Sequence, residues 1–252
     1  MSMRRSTGRD RRGVSQRNPL GPSVDMSSFY ASGINIDIDA RLNVTQSGNR
    51  ISQILDRVSG QAFVQGTGAN QPLWVLGVTP LGQPAIHLDG AARNLRLTGL
   101  ATMTTASMTI YAVQRTSTTD GLGFGRCNVG GSTGFIYNSS TGKRLETALG
   151  GGVISDGAYP SNTFEVISLR IDASGGFATA CTTKEMYVNG SLQTTSGTPT
   201  FANPGAASIA TIGWTATTGN HQYARILLAE NVLHDATTHA NIVAALRAGY
   251  GV

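Results

Sequence analysis

Charge is scarce in this chain. Only 13% of its 252 residues are Asp, Glu, Lys or Arg, against about a quarter in an ordinary soluble protein, which sets aside the salt-bridged helical bundle and the coiled coil. Aromatic residues are sparse at 6%, and cysteine is limited to Cys127 and Cys181. Two cysteines set no disulfide framework and lack metal-ligand spacing, so both are read as buried thiols. Long apolar runs are missing as well. No segment reaches the roughly eighteen residues of a membrane helix, so no membrane partner is expected. Arginines near the N-terminus have no apolar segment behind them, so no secretory signal is expected either. What the chain has instead is glycine, 32 residues of it, alongside 40% hydrophobic residues. That composition describes a turn-rich β domain long enough to bury a core without staples.

The net charge of +5 is concentrated at one end: Arg4, Arg5, Arg9, Arg11, Arg12 and Arg17 stand against Asp10 and Asp25 in the first 25 residues, leaving the rest near neutral. Apolar residues there are few and without period, and Asn18-Pro19 and Gly21-Pro22 keep the backbone extended. The expectation is an extended basic arm over residues 1–30 and a single body over 31–252. The six arginines are the candidate partner-binding residues of the arm. Nucleic acid is not the expected partner, because the body offers no continuation of the basic surface. Docking on another protein is.

From Gly33 onward the apolar period is two. Ile34, Ile36 and Ile38 alternate with Asn35, Asp37 and Asp39; Ile86 and Leu88 with His87 and Asp89; Leu95 and Leu97 with Asn94 and Arg96. Each run predicts a half-buried strand. Further strands are predicted over 107–115, 166–171, 186–188, 208–214 and 223–233. Asn189-Gly190 supplies the two positive φ angles of a type I′ hairpin. One helix is predicted at the end, capped by Asp235, with Ile242, Val243 and Leu246 as its apolar stripe and Gly249 as its stop. Thr116–Thr119 and Thr194–Thr200 read as loops, and Gly121–Gly125 and Gly150–Gly152 as turns, since neither glycine run has the strand-then-helix setting of a phosphate cradle. Many short strands with such turns predict an all-β, two-sheet antiparallel sandwich of jelly-roll type with one short C-terminal helix.

The order of several motifs resembles the concanavalin A-like lectin/glucanase superfamily in its bacterial and phage laminin G-like form. They are Ile36-Asp37-Ile38-Asp39-Ala40, the ISQILDRVSG segment from Ile51 to Gly60, Asn70-Gln71-Pro72-Leu73, Gln83 to Gly90, Met186 to Gly190, Ile212-Gly213, and Arg225 to Leu233 before the helix. The resemblance spans about residues 34 to 250 and implies two stacked antiparallel sheets. It departs from the family in lacking the usual tryptophan near residue 54 and in having Leu88, not an aromatic, before Asp89.

Some members of that superfamily hydrolyse glycosides with two carboxylates on one strand, which for a retaining pair means i and i+2. Asp37/Asp39 is the pair of that kind here; Glu146, Glu165, Glu185 and Glu230 stand alone, and the glucanase signature is missing. No enzyme, cofactor or metal is expected. Asp37/Asp39 and His87/Asp89 supply too few ligands for calcium or zinc and read as solvated strand polars. For glycan binding the aromatic candidates are Trp74, Tyr159, Trp214 and Tyr223, with His87, Asp89, Asn94 and Arg96 as hydroxyl partners.

A lectin-type sandwich with a basic arm and no export signal points to a phage virion structural protein, a capsid decoration or head-fibre protein anchored on other virion proteins by its arm. The alternative is a carbohydrate-binding receptor or adhesin domain of a tail or cell surface, with a host-surface glycan as partner. Exposed sandwich edges favour a homo-oligomer.

Overall fold

Apolar alternation places successive side chains on opposite sides of a strand, and the computed structural model realises it in the strands predicted from Ile36, Ile86 and Leu95. The structure describes residues 21–89, 92–100, 107–116, 122–127, 134–138, 144–147, 162–172, 182–194, 209–213 and 220–252. The strands are β1 (Ile36–Asp39), β2 (Val44–Ser47), β3 (Arg50–Leu55), β4 (Ala62–Val64), β5 (Leu73–Val75), β6 (Ala85–Asp89), β7 (Asn94–Leu97) and β8 (Met108–Thr116). They continue with β9 (Leu122–Cys127), β10 (Gly134–Asn138), β11 (Arg144–Thr147), β12 (Glu165–Asp172), β13 (Thr183–Val188), β14 (Ser191–Leu192), β15 (Ile209–Gly213) and β16 (Asn220–Glu230). Helix α1 (Ala236–Tyr250) ends the chain.

One hydrogen-bonded path runs β14-β13-β12-β8-β16-β6-β5-β3-β4-β7-β15-β9-β10-β11, with β1 added beside β16 and β2 beside β3. It folds over an interior made by Ile36, Ile38, Ile86, Ile110, Leu169 and Ile226 from one half and Ile51, Ile54, Phe63, Leu95, Phe124 and Ile212 from the other. This is the expected antiparallel sandwich. A second apolar cluster lies outside it, where Ile242, Val243, Leu246 and Tyr250 of α1 pack on Tyr111, Val113, Val166, Ala224 and Leu227, with Val24, Met26 and Ile34 of the N-terminal segment joining them. The sheet of β8, β12 and β16 is therefore covered on both faces, and its residues are buried in near-continuous runs.

Local signals explain the punctuation. Asn189 (φ 50°) and Gly190 (φ 85°) turn β13 into β14, as their positive φ angles require. Asp235 accepts the Thr238 N–H at 2.7 Å and caps α1. Two expectations are corrected. Gly249 does not stop the helix: Gly251 does, at φ 73°. Gly249 is a packing position inside it, where a Cβ would lie 2.6 Å from both methyl groups of Val24. Nor is Gly121–Gly125 a turn, because Leu122 to Gly125 open β9, bonded to β15 on one side and β10 on the other. Glycines at alternate positions hide the period of two, and pairing on both edges supplies the order their side chains do not.

Candidate functional site

The strand ends joined by three connections gather at one end of the sandwich. Residues 90–93 link β6 to β7, 117–121 link β8 to β9, and 214–219 link β15 to β16. The strand ends beneath them turn polar on the inner face. Glu165, Gln114 and Tyr223 share one cross-strand row, and Thr116 and His221 the next. All five are buried, and the His221 and Tyr223 rings stack at 6.2 Å. Polar side chains at the mouth of an apolar interior are tolerated where they can bond the backbone of covering loops. Arg93 grips Asp89 through Nε and an Nη at 2.8 and 3.0 Å, and this hydrogen bonding raises the Arg93 pKa. Gly213 (φ 76°) seats that connection: a Cβ there would fall 2.1 Å from the Arg93 carbonyl oxygen.

The aromatic candidates divide. Tyr223 and Trp74 lie in one cross-strand row through Ile86, and both contribute to the sandwich interior. Tyr223 is completely buried and cannot present its ring to an external sugar. Trp74 is half-buried, with its indole N–H donated to the Ala40 carbonyl at 2.7 Å. Tyr159 and Trp214 lie outside the described residues, as do Arg4, Arg5, Arg9, Arg11, Arg12 and Arg17. Trp214 directly follows Gly213, so it belongs to the 214–219 connection. Among the polar candidates, His87 Nε2 meets Asn220 Oδ1 at 2.6 Å, and Asn94 Oδ1 accepts from Gln65 at 2.8 Å. Arg96 lies on the outer face between Val64 and Thr211.

Sequence reasoning misplaced Asp37 and Asp39. They are not solvated: both are buried, because β1 puts Ile36 and Ile38 into the sandwich and its polar alternates under the N-terminal segment. Arg225 of β16 meets them there. Its Nε and Nη2 donate to the two Asp37 oxygens at 2.6 Å each, and its Nη1 donates to Asp39 at 3.0 Å and to the Val24 carbonyl at 2.8 Å. Arg57 adds a second cation 3.4 Å from Asp37, and Tyr30 donates its hydroxyl to the same carboxylate at 2.5 Å. Two buried anions are thus matched by two cations, and the Val24 carbonyl accepts a further guanidinium N–H, as charges withdrawn from water require. Burial pulls the Arg225 pKa down, but Asp37, Tyr250 and Asp39 outweigh it and move it up. Burial raises that of Asp39 despite the opposing pull of Arg225. The only sequence signal was the spacing of two aspartates two residues apart facing a lone arginine in the last strand. A carboxylate pair so engaged has no free oxygen face for glycoside chemistry.

The same clamp fastens the chain's N-terminal segment. Of the stretch assigned to the arm, residues 21–30 are described, and they lie on the body. Val24 and Met26 are buried in the outer cluster, Ser23 accepts from Arg41 at 2.6 Å, and Gln83 donates to Gly249 at 2.7 Å and Pro22 at 3.4 Å. Gly21 (φ 68°) sits on the turn before β6, where a Cβ would come within 2.8 Å of the Leu81 carbonyl oxygen.

A histidine cluster lies beneath the start of α1. His234 Nδ1 meets the Tyr111 hydroxyl at 2.7 Å and its Nε2 faces the Ser32 carbonyl at 3.1 Å. His239 Nε2 meets Ser168 Oγ at 2.8 Å, with its ring 4.3 Å from that of Tyr187 and 5.6 Å from that of Tyr111. Among the described residues no group of three or more His, Cys, Asp or Glu is placed to hold a metal ion, and no helix is long and apolar enough to cross a membrane.

No family model matches the chain, and no curated protein matches it. Solved structures do. The botulinum neurotoxin type G receptor binding domain is similar with a TM-score of 0.53 at 11% identity, over 85% of this chain and 52% of that one. The binding domain of Paraclostridial mosquitocidal protein 1 is similar at 0.54 and 12% identity, over 84% of this chain and 52% of that one. A Trypanosoma rangeli sialidase is similar at 0.50 and 11% identity, over 88% of this chain and 33% of that one. This chain spans about half the length of the two binding domains, and what it shares with all three is the fold of an antiparallel β-sandwich.

Proposed function

We propose that this chain is a non-catalytic recognition module, in which the loop-bearing end of the sandwich meets a receptor or surface glycan and the N-terminal arm fastens the module to a larger assembly. One observation carries the reading. Gly21 rests on Leu81 and Gln83 at the turn before β6, whereas Asp89 at the other end of β6 lies beside Asn220 at the start of β16, itself followed by His221 opposite Thr116 at the end of β8, the strand ends from which the three connections depart. A partner of the arm and a partner of the loops would therefore meet the body from opposite ends of β6.

Two of the similar structures are described as a receptor binding domain and a binding domain, which supports recognition on this architecture, although fold alone does not carry function. Trp214, in the 214–219 connection, is the aromatic residue best situated by sequence for stacking on a sugar. The arm's six arginines suit an acidic protein surface, and a phage particle is the setting we favour for it.

The test uses the full chain on an array of immobilised glycans and on purified particles. Trp214→Ala should abolish glycan binding without loss of folding. Removal of residues 1–20 should leave glycan binding intact while particles, checked by mass spectrometry, no longer carry the protein. Binding that survives Trp214→Ala together with replacement of 117–121 overturns the recognition end. Normal incorporation of the shortened chain overturns the tether, and turnover of a bound glycoside overturns the non-catalytic reading.

A further inference from the structure

Helix α1 is held by more than apolar contact. Its first two turns rest on a polar floor, and His239 is the piece that joins helix to floor. Facing this imidazole are Tyr111 on β8, Ser168 and Arg170 on β12, Glu185 and Tyr187 on β13, and His234 in the turn before the helix, with Asp235 beside His234 and Arg247 lining the same cleft further along the helix. Both nearby carboxylates already hold a partner. Glu185 is engaged by Arg170 and by the Tyr187 hydroxyl at 2.9 Å, and Asp235 caps the helix. Arg170 also donates to the His234 carbonyl at 2.9 Å, so a fixed positive charge already occupies the floor.

A neutral His239 fits this site and a charged one does not. Burial, then the Arg170 charge, pulls its pKa from 6.5 down to about 4; burial lowers that of His234 too. Protons have a route, because a cleft of about 260 Å³ between α1 and the β13–β14 turn is lined by Tyr187, His239, Val243 and Arg247.

We infer that His239, with His234 behind it, is an acid-operated latch: on taking one proton from solvent it releases α1 from the outer face of the β8–β12–β16 sheet while the sandwich stays folded. The Ser27–Ser32 turn, bonded to His234 through Ser32, loosens with it. The sign follows from linkage. The released form binds the proton near pH 6.5 and the docked form only near 4, so docking is strongest above 6.5 and weakens as pH falls through that window, with the opening equilibrium rising up to about tenfold per pH unit. The sandwich interior contains none of this cluster, and it remains closed. The release is independent of what the loops bind.

Hydrogen exchange on the full chain, corrected for intrinsic rates, tests it. Between pH 6.5 and 4.5 the opening of α1 amides should rise about fortyfold, with those of residues 27–33 following, while β8, β12 and β16 stay protected. His239→Gln keeps a neutral hydrogen-bonding group and should flatten that rise. Should the variant not fold, NMR titration of the four histidines in the unaltered chain replaces it, and the helix should open over the range in which the His239 ring binds its proton. Exchange of α1 that is flat with pH, helix opening shared equally by the sandwich strands, or an unchanged rise in His239→Gln each overturns the latch.

Discussion

The sheet of β8, β12 and β16 has two buried faces built in different ways. Its inner face meets the second layer through isoleucine, leucine and methionine, with polar groups confined to one end. Its outer face meets a helix and an irregular N-terminal segment through a smaller apolar patch interrupted by a buried ion cluster on one side and a histidine cluster on the other. Away from that polar end, the inner face depends on shape and carries no titratable group among the described residues. The outer face depends on charge balance and exact partners, which makes it selective about register and vulnerable when a partner is removed.

Breaking the ion cluster should have the largest effect. Arg225→Ala leaves Asp37 and Asp39 buried with too little positive charge and frees the Val24 carbonyl, and we expect a loss of about 3–5 kcal/mol in urea unfolding. Replacing all three charged residues together (Asp37→Leu, Asp39→Leu, Arg225→Met) should cost less than the single change, because the one charge left unpaired, Arg57, reaches solvent. On the inner face, Ile226→Ala should cost about 3 kcal/mol through a cavity. That loss should be the same at pH 5 and pH 7.5, and a pH-dependent loss would erase the distinction between the faces. Gly249→Ala gains helix propensity but drives a methyl group into Val24. A net loss of about 1–3 kcal/mol is expected, with residues 21–26 becoming susceptible to limited proteolysis while the sandwich remains resistant. The smallest effect belongs to Gly190→Ala, about 1 kcal/mol from the positive φ of the hairpin, read as a lowered Tm.

The inner face was legible in the sequence and the outer one was not. Ile36/Ile38, Leu95/Leu97 and Ile167/Leu169/Ile171 announce strands because alternation records which side a residue faces. It does not record whether the other side is covered. Asp37 and Asp39 therefore look like solvent-facing alternates, when an arginine 186 residues or more away in the chain lies over them. The Asn189-Gly190 turn and the Asp235 cap were legible because a local hydrogen bond or φ angle determines each. Gly249 was misread for the opposite reason, since its value is set by Val24 across the fold. Of the recognition candidates, Tyr223 could not be distinguished from a surface aromatic without its neighbours Gln114 and Ile86 in the ladder.

The bond from Arg225 to the Val24 carbonyl gives trimming of this polypeptide a sharp threshold. Everything up to residue 20 can be cut away with the guanidinium still fully coordinated, whereas a cut four or five positions later takes away a ligand that no side-chain substitution at position 24 could remove. Progressive shortening should therefore show a plateau followed by a cliff, and the cliff should fall between Gly21 and Asp25.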